Sequence, residues 1–174
     1  SIYRGREDFV YRVEIGELPF VTGIFPLGGR ANARTAIELT GWNLPSTKLT
    51  RTFKSAGVET IAAARPFAVD TLPETMEKEP NDRPEKAQKV KAPVIVNGRI
   101  QSAGDQDVYR FDGKAGEEIV AEIVARRLDS PLDSILRLTD SKGKEIAVND
   151  DMEDKSSALQ THHAVRLRRP CGLR

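Results

Sequence analysis

The chain is poor in the residues that most often carry chemistry. It has one cysteine and two histidines in 174 residues. One cysteine excludes an internal disulfide and any cysteine-rich zinc site. The histidines are adjacent, His162 and His163. Neighbouring residues of a strand point to opposite faces, so this pair reads as surface rather than as a ligand set. No His-Glu-x-x-His helix and no Gly-x-Ser-x-Gly elbow occurs. Aromatic residues make up 6% of the chain. The formal net charge is +1, without the strongly basic balance of a nucleic-acid module. No apolar run approaches the roughly 18 residues that span a bilayer. No signal-peptide pattern follows Ser1. Together these absences predict a module that is not an enzyme by itself.

What is present is a globular composition, 39% hydrophobic and 30% charged. Charge is unevenly spread. Residues 1–72 carry a net +2, residues 73–164 a net −5, and residues 165–174 a net +4. The chain opens in mid-pattern, since Phe9-Val10-Tyr11-Arg12-Val13-Glu14-Ile15 already alternates like a strand. A piece of a longer protein is expected, with residues 1–17 as the last strand of a preceding module.

Helical periodicity is nearly absent. Short alternating or β-branched runs recur, separated by Gly, Pro, Asn and Asp. They predict strands over Phe9–Ile15, Phe20–Phe25, Thr35–Thr40, Val58–Ala63, Val94–Ile100, Asp107–Phe111, Glu117–Ala125, Ser134–Thr139 and Glu145–Asn149. Turn signals every 8–12 residues between short strands point to sandwiches. Asp140-Ser141-Lys142-Gly143-Lys144 is a hairpin loop in which Gly143 supplies positive φ. Gly28-Gly29 reads as a break between two front strands. Asn81-Asp82-Arg83-Pro84-Glu85 reads as a helix start, with Asp82 as cap and one or two turns to follow. A boundary is expected near 66–76, where Pro66, Pro73 and the polar run to Pro80 look like a linker.

The most specific stretch is Glu77-Lys78-Glu79-Pro80-Asn81-Asp82, followed 22 residues later by Gly104-Asp105-Gln106-Asp107-Val108-Tyr109-Arg110-Phe111. Then come Ala115-Gly116-Glu117, Leu132-Asp133-Ser134-Ile135-Leu136-Arg137-Leu138, Asp140-Ser141-Lys142-Gly143 and Asn149-Asp150-Asp151. This order of motifs resembles the bacterial pre-peptidase C-terminal (PPC) domain, a β-sandwich module of secreted proteins, often beside peptidases. The collagen-binding domains of clostridial collagenases are related. The resemblance covers about residues 74–164 and implies a jelly-roll-like sandwich. It also implies calcium, held by Glu77, Glu79, Asn81, Asp82, Asp105 and Asp107. The chemistry is compatible, because calcium takes six to eight hard oxygen ligands. In an extended chain Glu77, Glu79 and Asn81 share one side, and Asp105 and Asp107 share one side of their strand. The same residues also suit a solvated linker ending in a helix cap, followed by a polar turn. Asn149, Asp150 and Asp151 read as a solvated loop.

The front has a resemblance of its own. Pro19-Phe20-Val21-Thr22-Gly23-Ile24-Phe25-Pro26-Leu27-Gly28-Gly29, then Thr35-Ala36-Ile37-Glu38-Leu39-Thr40-Gly41-Trp42-Asn43-Leu44, is similar to the start of immunoglobulin-like IPT/TIG domains. It covers about residues 18–70, and Trp42 is expected to be a packing residue rather than a ligand platform. The tail departs from the PPC pattern. After Ala164 further strands should follow, yet the chain turns to Arg166, Arg168, Arg169, Cys171 and Arg174. Residues 165–174 are therefore expected to be non-native, with the sandwich truncated.

The expected architecture is all-β, with two β-sandwich modules at 18–72 and 73–164. The expected role is a non-catalytic accessory module of a secreted bacterial protein. It would space neighbouring domains or bind an extracellular protein or polysaccharide, with calcium stabilising the linker. The alternative is a processing or secretion segment of a secreted peptidase.

Overall fold

The computed structural model describes residues 5–62, 64–113 and 119–149. Ala115-Gly116-Glu117, the Asp150-Asp151 pair, both histidines and the arginine tail lie outside the described residues. Among the described residues the protein is all-β, with twelve short strands, two single 3-10 turns and no α-helix. No helix is long and apolar enough to cross a membrane among these residues.

The front half is two facing three-stranded sheets. One sheet has the order β1-β3-β4, from Phe20–Phe25, Arg34–Trp42 and Lys48–Thr52. The other has the order β2-β6-β5, from Gly28–Arg30, Arg65–Asp70 and Gly57–Ile61. Strand β3 shows the alternation that places side chains. Thr35, Ile37 and Leu39 turn inward, while Arg34, Glu38, Thr40 and Trp42 turn outward. The core gathers Ile37, Phe53, Ile61, Phe67 and Val69, with Ile24, Leu39 and Leu49 packed against it. Phe53 and Phe67 stack at 4.7 Å.

Several expectations change here. Gly28 and Gly29 do not break the chain; they are buried in β2, which runs parallel to β6. A Cβ on Gly28 would meet the Ala68 carbonyl oxygen at 2.6 Å, and one on Gly29 the Thr35 Oγ1 at 2.5 Å. Glycine is required at Gly28 because the Ala68 backbone approaches so closely, while at Gly29 the Thr35 and Phe67 side chains fill the space. Residues 66–70 are not linker but the middle strand of their sheet. Proline is tolerated within that strand because β2 pairs only with Ala68, Val69 and Asp70. At Pro66 the strand has β5 alone as neighbour, so a missing N–H costs no ladder bond on the other side. Trp42 packs on the outer face: it is 65% exposed and stacks on Phe20, its cross-strand partner, at 5.9 Å. Residues 9–15 form no strand, and Val10, Tyr11, Val13 and Ile15 are exposed, because no strand among the described residues pairs with them.

No sheet crosses from residues 18–72 to the residues beyond. The back half is three two-stranded ladders. β7 (Glu74–Met76) pairs parallel with β9 (Ile95–Asn97), and β8 (Gln88–Lys89) pairs parallel with β10 (Tyr109–Arg110). β11 (Leu136–Thr139) and β12 (Glu145–Asn149) form the expected hairpin, with Gly143 at φ +80°. The expected helix shrinks to one 3-10 turn, Pro84–Lys86, and Asp82 does not cap it. The chain turns at once into β8, leaving no length for a second turn. Residues 119–125 form no ladder, although Ala125 is buried beside a second 3-10 turn, Arg126–Leu128. Among the described residues this half buries only Ala125 and Leu128 as hydrophobic side chains. Its apolar core is thin.

Candidate metal centre

The acidic cluster is built by two neighbouring segments. The segment Glu77–Asp82 leaves the end of β7, and the segment Asp105–Asp107 leads into β10. The Val108 N–H donates to the Asn81 carbonyl at 3.0 Å, so the two segments run side by side. Lys78 N–H donates to Gln88 Oε1 at 2.7 Å, and Gln88 Nε2 donates to the Met76 carbonyl at 3.0 Å. Gln88 thus clamps the first segment to β8 from both sides of Glu77.

This arrangement brings all six sequence-derived residues into one region. Glu77, Glu79 and Asp107 each offer an oxygen, all within 4.8 Å of one another. Glu79, Asp82 and Asp105 do the same, so Glu79 belongs to both groups. Such spacing suits oxygens on the shell of one cation, since calcium binds oxygen at about 2.3–2.6 Å.

In Glu77, Glu79 and Asp105 a backbone N–H anchors one carboxylate oxygen. Glu77 Oε2 accepts the Arg99 N–H at 2.6 Å, while Oε1 is buried with no partner. Glu79 Oε2 accepts the Asn81 N–H at 2.8 Å. Asp105 Oδ2 accepts the Gln101 N–H at 2.7 Å. Asp107 Oδ1 is buried without a partner. Asn81 is the extreme case. Its side chain is 0% exposed, and neither amide atom completes a hydrogen bond. The amide lies close enough to the Tyr109 phenol to offset part of the rise in that group's pKa. A buried polar group without a partner costs roughly 1–3 kcal/mol. Glu77 Oε1, Asn81 Oδ1 and Asp107 Oδ1 are three buried oxygens without a partner in one acidic region.

Electrostatics agree. Burial pushes the Asp107 carboxyl up to about 7, and the neighbouring Glu77 carboxylate adds to the rise, as do the charges of Asp105 and Glu79. Burial raises the Tyr109 phenol too, with Asp107 and Glu77 contributing. A region that resists holding its own negative charge is one that a divalent cation would relieve.

Two residues of this centre, Gln88 and Gly98, carry no motif in the sequence. Gln88 acts through backbone contacts on either side of Glu77. Gly98 lets β9 approach, since a Cβ there would meet Glu77 Oε2 at 2.9 Å and Tyr109 Oη at 3.1 Å. The one legible signal was Tyr109, two residues beyond Asp107 and therefore on the same side of the strand.

With the geometry in place, comparison with known proteins adds one relative. A protein described as a probable subtilase-type serine protease of Deinococcus radiodurans is 43% identical over 56 residues. That match takes in 32% of this chain and 8% of the protease. The chain thus spans less than a tenth of that relative's length. No family model matches the chain. No solved structure matches it.

Proposed function

We propose that this chain is a non-catalytic accessory region of a secreted, peptidase-associated protein, stabilised by calcium at the acidic centre. The observation that carries the reading is Asn81, fully buried with its Oδ1 unpaired beside the buried, unpaired carboxyl oxygens of Glu77 and Asp107. Glu77, Glu79 and Asp107 would hold one cation, and Glu79, Asp82 and Asp105 the shared or second position, with Asn81 Oδ1 as the neutral ligand. Calcium suits the set because every donor is a hard oxygen and no nitrogen or sulfur ligand is present. Bound there, it would pin Glu77–Asp82 against Asp105–Asp107 and replace part of the apolar core that this half lacks. The PPC resemblance and the subtilase match support the peptidase association and an extracellular setting.

A thermal melt of this chain in millimolar calcium, against the same chain in chelator, tests the cation. Calcium at about a hundredfold excess over its Kd adds about 2.7 kcal/mol of stability by mass action. The melting temperature should rise, and changing Asp105 and Asp107 to Ala should abolish the rise. An unchanged melt of the folded chain would overturn the reading.

The subtilase match favours a second reading, a segment removed as a peptidase matures. Mass spectrometry of the intact secreted polypeptide separates the two. A mature form lacking residues 73–164 supports processing, and a form that keeps them supports a spacer.

A further inference from the structure

We propose that Arg99 is a positioning residue that ties the acidic centre to the front sandwich, so that cation binding sets the packing of the two halves. The inference rests on the cation reading above. Arg99 touches both sides at once. Its backbone N–H donates to Glu77 Oε2 at 2.6 Å. Its guanidinium donates to Glu38 Oε2 at 2.7 Å, on the outward face of β3. The same guanidinium lies 3.8 Å from the centre of the Phe25 ring, at the end of β1.

The main chain of one residue therefore reads the state of Glu77, and its side chain grips two strands of the other half. Glu77 is the member of the centre with one oxygen anchored and the other buried and unpaired. Without a cation, Glu77 is anchored through one oxygen only, the one that accepts the Arg99 N–H. With a cation on its second oxygen, Glu77 is fixed from both ends, and the Arg99 N–H is fixed with it. Gly98 permits no slack, because a Cβ at that position would already press on Glu77 and Tyr109.

The side-chain contacts are weak taken alone. Arg99 and Glu38 are about half exposed, and exposed ion pairs contribute little to stability. Their use is orientation. A second contact completes the geometry, since the 3-10 turn Arg126–Leu128 packs against β6 and Asp129 lies 3.9 Å from Arg65. With the turn as one point and Arg99 as the other, the halves cannot rotate freely. Coupling of this kind is reciprocal: if the cation tightens the Arg99 contact, that contact must tighten the cation.

The test uses the whole chain with Cys171→Ser and spin labels on Thr50→Cys and Lys142→Cys, two exposed positions on opposite halves. Inter-label distances are measured with calcium and with chelator. Calorimetric calcium titrations are run on wild type, Arg99→Ala and Glu38→Gln. Neither substitution removes a ligand or the Arg99 N–H. In wild type, calcium should narrow the distance distribution. In both variants calcium should still bind, about fivefold more weakly, at the low end of typical coupling, and the distribution should stay broad. Arg99→Lys, which keeps the charge opposite Glu38, should restore part of the narrowing. Variants that narrow like wild type and bind calcium equally well would overturn the role of Arg99 and leave the cation reading intact. A folded wild type that takes up no calcium would overturn both. Glu38→Gln keeps the test decisive if Arg99→Ala fails to fold.

Discussion

Asn81 shows how a single residue can carry more information than the cluster around it. Exposed carboxylates are common and need no ligand, but a buried amide with two unpaired atoms is rare. Gly98→Ala should press a methyl group against the anchored Glu77 carboxylate. Overpacking of this kind costs roughly 1–3 kcal/mol, so urea denaturation should show a loss in that range, together with a smaller calcium response. Asp107 predicts a pH dependence. Its carboxyl is raised in the fold to about 7 from the ordinary 3.8. The folded state therefore binds more protons than the unfolded state between those values. In chelator, stability should fall as pH rises through that window and level off above it. Melts from pH 5 to pH 8 check the sign, and Asp107→Asn should flatten the curve. At this scale the acidic motif was legible, since the residues that gather are those quoted for the PPC resemblance. Gln88, Gly98 and Arg99 were not, because their contacts with the Glu77 segment form only after β8 and β9 pair.

Strands with clean alternation and a turn residue were readable as elements. Phe20–Phe25 and Glu145–Asn149 fall where the pattern puts them. Others were hidden by composition. Lys48–Thr52 is polar but for Leu49, since it is an edge strand with one face in water. Pro66 disguised β6, whose tolerance for proline follows from how short β2 is. Residues 9–15 misled in the opposite direction, because alternation alone does not supply a partner strand. Parity was informative where it was not applied: Trp42 lies an even number of residues from Glu38 and Thr40, so it shares their outward face. Gly28→Ala belongs to this scale. Its Cβ would drive β2 away from the Ala68 backbone, which unlike a side chain cannot swing aside. A loss of about 2 kcal/mol is expected by the cost of overpacking, measured by urea denaturation, with calcium binding unchanged.

For the molecule as a whole, stability is unequally sourced. The buried hydrophobic cluster lies wholly within the front sandwich, and the acidic centre lies wholly behind it. Phe67→Ala should cost the front about 3–5 kcal/mol, the usual penalty for deleting a buried aromatic ring. Differential scanning calorimetry should show that loss in one transition while calcium still raises the other. A single transition that moves as one under both changes would mean that the halves unfold together, through the Arg99 and Arg126–Leu128 contacts.

By itself the sequence determined the all-β class and the hairpin at Gly143, because alternation and turn chemistry are local properties. The tertiary structure alone decided that β6 is a sheet strand and that Arg99 lies between Glu77 and Glu38. Each of those depends on which strands meet, and pairing over tens of residues is set by packing rather than by any local pattern.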